Sequence, residues 1–114
     1  MEETKGKTTV SPEVLTTISS LAALEVPGVS RLAPVAGGVN RLFHRGTSDG
    51  VRIEAKDNVA FIDLHLVLKQ DVNIREVSRN IQQNVARAIQ EMVGMDVGEV
   101  NIHIEDMDYG ENEA

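Results

Sequence analysis

From Ala60 to Lys69 the side chains sort into two sets without a break. Ala60, Ile62, Leu64, Leu66 and Leu68 fall on one side of an extended chain, and Phe61, Asp63, His65, Val67 and Lys69 on the other. Only a period of two separates the residues in this way, so the segment is a strand. One purely apolar face and one mixed face are what an antiparallel sheet with a wet side requires. Just upstream, Val51, Ile53 and Ala55 alternate with Arg52 and Glu54, and Lys56-Asp57-Asn58 supplies a turn. The two strands are predicted to form a hairpin.

A sheet with one apolar face needs a cover, and the sequence provides two amphipathic helices. Ser11-Pro12-Glu13 reads as a helix start, with Ser as N-cap, Pro in the first turn and an acid near the positive end of the helix dipole. Val14, Leu15, Ile18, Leu21, Ala22 and Val26 follow at helical spacing as one stripe, and Pro27-Gly28 ends the run. Asn73-Ile74-Arg75-Glu76 resembles a capping box. Behind it Ile74, Val77, Ile81, Val85, Ala88, Ile89 and Met92 form a second stripe, closed by Gly94 as C-cap. A last strand alternates Val100, Ile102 and Ile104 with Asn101, His103 and Glu105, and Lys7-Thr8-Thr9-Val10 is a short β-prone segment at the other end.

The predicted order is strand-helix-strand-strand-helix-strand. The fold class is α+β, a two-layer sandwich with both helices on one face of a small mixed or antiparallel sheet. Residues 1–6 are expected to be a flexible N-terminus, 7–107 a single domain, and 108–114 an acidic tail; the acids from Glu105 onward are expected to fray into solvent. With 114 residues the chain can bury a core without a metal or disulfide staple. It holds no cysteine, which removes disulfides, thiolate metal sites and cysteine nucleophiles. The formal net charge of -7 opposes a general nucleic-acid or anionic-membrane binder. The polar, acidic start is unlike a secretory signal, and no apolar run reaches the length of a membrane span.

Residues 34–50 carry Gly37-Gly38, Asn40, Gly46 and Ser48-Asp49-Gly50 with little periodicity and read as a long loop. Within it Arg41, Phe43, His44 and Arg45, with Arg31 and Arg52 close in sequence, make a basic segment in an acidic protein. Three readings stay open: an anchor for an acidic partner surface, a phosphate or RNA-backbone contact, or a solvated loop whose Phe43 tucks into the core. Phe61 and Val67 on the free sheet face complete the partner-binding candidates. His65 and His103 lie on polar strand faces near Asp63 and Glu105. In-register neighbours of that kind would make a His/carboxylate metal site. A ferredoxin-like strand order would instead pair the last strand with the first and keep the histidines apart, and no metal or cofactor is expected. The serines lack a nucleophile-elbow context and the carboxylates are dispersed, so no catalytic site is expected.

The stretch from Gly6 through Val14, continuing at Ala22-Ala23-Leu24-Glu25-Val26-Pro27-Gly28-Val29, resembles the opening block of the alkaline shock protein family of bacterial envelope stress proteins. Asn73-Ile74-Arg75-Glu76-Val77, Ile81-Gln82, Val85, Ala88-Ile89, Met92, Gly94, Val97 and Val100-Asn101-Ile102 resemble its C-terminal helix and strand. Gln70-Asp71-Val72 stands where the family often has an aromatic-Gly pair. The resemblance implies a non-enzymatic cytoplasmic protein of the envelope stress response and envelope homeostasis. It implies attachment to the inner face of the membrane through a membrane-anchored protein partner, and self-association. The alternative is an RNA-binding regulatory module of K-homology-like architecture, against which stand the missing Gly-x-x-Gly loop and the scarcity of aromatics.

Overall fold

The alternating strand is the centre of the molecule. In a computed structural model describing residues 5–34, 47–48 and 50–110, β4 (Val59–Lys69) turns Ala60, Ile62, Leu64, Leu66 and Leu68 inward, each with no exposed surface. Two helices cover that face. From α1 (Pro12–Leu24) come Leu15, Ile18, Ala22 and Ala23, and from α2 (Ile74–Val93) come Val77, Ile81, Val85 and Ile89. The fold class is therefore α+β, with both helices on one side of the sheet.

The remaining strands are β1 (Val29–Leu32), β2 (Thr47–Ser48), β3 (Val51–Lys56) and β5 (Asp96–Asp108). β4 pairs with β3 in the expected hairpin, Val51 opposite Leu64 and Lys56 opposite Val59. β1 takes up the second half of the same edge, Leu32 opposite Leu66 and Val29 opposite Leu68. The two meet at His65, whose N–H donates to Gly50 O and whose carbonyl accepts from Ala33 N, both at 2.8 Å. β2 lies outside β3. The other edge of β4 belongs to β5, which runs parallel to it from Asp96 to Asp108. The sheet is mixed.

Two expectations are corrected here, and one strand appears that no pattern announced. Lys7–Val10 is not a strand: β3 and β1 already fill the β4 edge, and β5 fills the other. Thr8 and Val10 instead line a hollow with Leu15, Ala55, Val93 and Met95. The strand that follows α1, β1, has no period-two signature because a bulge lies between Val29 and Arg31. Val29 and Leu32 therefore both face the helices while standing three residues apart. Finally, Glu105–Asp108 does not fray but completes β5.

What holds that end is Asp108. Its carboxylate accepts from Ser30 Oγ at 2.6 Å and from Gly110 N at 3.0 Å, with Arg31 3.9 Å away, and its carbonyl accepts from Gln70 N. The Ser30 hydrogen bond above all, then that of Gly110, holds the carboxyl below its ordinary value of 3.8; Arg31 and Lys69 add to this and desolvation works against it. An acid with a lowered folded pKa stabilises the fold while ionised, and loses that contribution as pH falls through the folded value. Ser30→Ala should therefore shrink the fall in urea midpoint between about pH 6 and about pH 3. An unchanged fall would mean that the tie between β1 and β5 is not linked to folding.

The helix ends follow the sequence. Asn73 Oδ1 accepts from Glu76 N at 3.0 Å, and Gly94 takes a left-handed φ of 82° as C-cap. Ser11 occupies the N-cap position of α1 with extended backbone, but its hydroxyl makes no capping bond. Asn84 Nδ2 donates to Ala22 O at 2.8 Å and locks α2 to the last turn of α1.

Candidate functional site

The sheet face away from the helices carries the densest group of chemically active side chains among the described residues. Parallel pairing puts His65 directly beside His103, Asp63 beside Asn101 and Leu64 beside Ile102. Partners in a parallel register project to the same side, so both imidazoles stand on the open face. Their rings stack with centroids 4.5 Å apart and 14° between planes. Each reaches diagonally to an acid on the other strand: His65 Nδ1 lies 2.7 Å from Glu105 Oε2, and His103 Nε2 lies 3.4 Å from Asp63 Oδ1. The expectation that strand order separates the histidines is overturned, because β5 adds to β4 and not to an N-terminal strand.

Of the other candidates, Phe61 is on this face and half-buried. Its ring lies over Gly98, where a Cβ would come within 2.5 Å of Cε1. Gly98 is the extra residue of a bulge, since Ala60 pairs with Val97 and Phe61 with Glu99. Val67 is a correction: it stands between Arg31 of β1 and Asp106 of β5 and is only 3% exposed, so it offers a partner little surface. Arg41, Phe43, His44 and Arg45 lie outside the described residues. Arg31 and Arg52 are exposed on β1 and β3, with Arg52 opposite Asp63.

Which strand forms the rim beside this face emerges only with the strand order. β5 is 13 residues long and pairs only with β4 among the described residues, so its far side is a free edge. Alternate residues of a parallel strand turn both backbone groups the same way. Val100 turns outward, because its carbonyl accepts from Gln82 Nε2 of α2 at 3.0 Å. Ile102 and Ile104 then turn their backbone groups outward too, while their half-buried side chains pack against the core beneath the helices. Asp96, Glu99, Glu105, Asp106 and Asp108 put five acids on this strand, which has no Lys or Arg. The hidden signal was Gly98, an isolated glycine in a strand that hides its first residues and marks a close approach. A second feature, an open groove lined by Ile18, Leu21, Ala88 and Met92, runs between the helices on the opposite side.

A model of the alkaline shock protein family, whose function is cell envelope-related, matches residues 1–109. The chain belongs to the alkaline shock protein family. This is the family that its helix and strand blocks resemble. Relatives within it include the uncharacterized protein YqhY of Bacillus subtilis, 32% identical over 87% of this chain and 75% of that protein. Another is the uncharacterized protein Spy1535 of Streptococcus pyogenes, 31% identical over 88% of this chain and 78% of that protein. Among solved structures, the copper form of the MamM CTD shares the fold at a TM-score of 0.53 and 14% identity, over 88% of this chain and 90% of that one. No helix among the described residues is long and apolar enough to cross a membrane.

Proposed function

We propose that this alkaline shock family protein is a non-enzymatic, protein-binding scaffold of the envelope stress response and envelope homeostasis. It works in the cytoplasm, at the inner face of the membrane, through a membrane-anchored protein partner and through self-association. The observation that carries this reading is the free edge of β5. A long edge strand presents unpaired N–H and C=O groups to any incoming strand, and such edges are blunted by charge or cover unless they serve a contact. Here the cover is one glutamine side chain, and the charge is of one sign.

Self-pairing of β5 in the antiparallel sense about Ile102 would set Glu99 against Glu105, and like charges opposite each other are unfavourable. The edge therefore suits a heterologous partner whose strand carries Lys or Arg, and self-association uses another surface. A photo-crosslinking residue placed at Asn101 on β5 should give adducts with a membrane-fraction protein in native cells. The same residue at Gln90, exposed on α2, should give none. Equal adducts from both positions, or none from Asn101, would remove the edge from this role. Salt-sensitive retention of RNA by the purified chain would favour the K-homology-like alternative.

A further inference from the structure

We propose that His65, His103 and Asp63 bind a divalent transition-metal ion of the Zn²⁺, Cu²⁺ or Ni²⁺ class on the open sheet face, with Glu105 orienting His65. Two imidazoles in register on adjacent strands form a chelating pair whose spacing is set by the backbone ladder. Here that ladder is the parallel pairing of the two longest strands, and the ring centroids already lie 4.5 Å apart. Imidazole suits these ions, and a carboxylate adds a hard donor that completes a mixed set.

The two His–carboxylate contacts differ in a way that assigns the roles. At 2.7 Å, Glu105 holds a true hydrogen bond to His65 Nδ1. A carboxylate on one ring nitrogen fixes the tautomer and leaves the lone pair on the other, the arrangement that supports metal-binding histidines. That nitrogen is His65 Nε2. The 3.4 Å between His103 Nε2 and Asp63 Oδ1 is longer than a good hydrogen bond. It matches the separation of about 3.3 Å between two ligands on one tetrahedral ion with bonds of ~2.0–2.1 Å. His103 Nε2 and Asp63 Oδ1 are thus spaced as two ligands, and His65 Nε2 is the third.

No three donors among the described residues yet surround a common point. The site closes by turning the exposed His103 and Asp63 side chains together toward His65 Nε2 about their broad χ2 torsions, while Glu105 keeps its bond to His65 Nδ1, and water fills the fourth position. Half of the His103 and over a third of the Asp63 side-chain surface is exposed (47% and 37%), so an ion has direct access.

The test is titration of the purified full chain with Zn²⁺ by calorimetry and with Cu²⁺ by electron paramagnetic resonance. One ion should bind per chain, and the Cu²⁺ spectrum should show coupling to two imidazole nitrogens. His103→Ala should leave one nitrogen, and Glu105→Gln should weaken binding by about 10- to 100-fold. The unchanged far-ultraviolet circular dichroism of each variant checks that it has folded. His44→Ala should alter nothing, which separates this site from the only other histidine. Absence of a two-nitrogen signal, or binding that survives in the His65→Ala/His103→Ala double variant, would overturn the proposal.

Discussion

Gly50→Ala should destabilise the fold by about 3 kcal/mol, whereas Gly94→Ala should cost only about 1 kcal/mol. The two glycines have nearly the same backbone angle, φ +83° and +82°, so the left-handed penalty on an L-residue is common to both. Their surroundings are opposite. A Cβ on Gly94 meets nothing within 4 Å, while one on Gly50 would lie 2.7 Å from Ala33 O, 2.9 Å from His65 O and 3.0 Å from Leu32 Cβ. Two of those atoms are backbone carbonyls at the point where β1 and β3 share the edge of β4. Neither can swing aside as a side-chain tip would. Relief requires the β1 end to move away from His65, which breaks the Ala33 to His65 hydrogen bond. Urea unfolding of both variants measures the contrast. Equal midpoints would mean that the three-strand junction is looser than its distances show.

That junction also marks the boundary of what could be read in the sequence. The hairpin, both helices, the Asn73 cap and the Gly94 stop each depend on residues within one turn or one strand of each other, and each is present. β1 was illegible for a local reason: its bulge moves Val29 and Leu32 off the period of two. The first residues of β5 were hidden the same way, since Gly98 interrupts the alternation that begins again at Val100. Lys7–Val10 had the composition of a strand, but both edges of the central strand β4 were already taken.

The histidine cluster failed to emerge for a different reason. His65, His103, Asp63 and Glu105 were all visible as polar-face residues, and their chemistry was named. Whether they meet depends on which edge the last strand joins, and no pattern within β5 decides that. Local periodicity fixes which way a side chain points; it does not rank neighbouring strands. The edge of β5 shares this limit, because an edge exists only once the strand order is known.

A stripe of apolar residues at helical spacing likewise says which way a helix faces but not where the cover ends. Leu64→Ala should cost ~2–5 kcal/mol, within the range of a buried leucine truncation. Leu64 has no exposed surface and sits in the central strand, with Val51 on one side and Ile102 on the other, so the surrounding backbone cannot close the cavity. Leu21→Ala should stay within about 0.5 kcal/mol of the parent. Leu21 belongs to the same apolar stripe as Leu15 and Ile18, yet 59% of it is exposed at the lip of the groove between the helices, beside Met92 at 70%. Alanine also favours the helix there, which offsets part of the lost contact. The comparison separates two meanings of an apolar stripe. If Leu21→Ala unfolds at a urea midpoint as low as Leu64→Ala, the outer rim of α1 is core, and the groove beside Met92 is closed in solution. A near-parental midpoint means that Leu21 and Met92 stand as exposed apolar surface, held there without help from the fold's own stability.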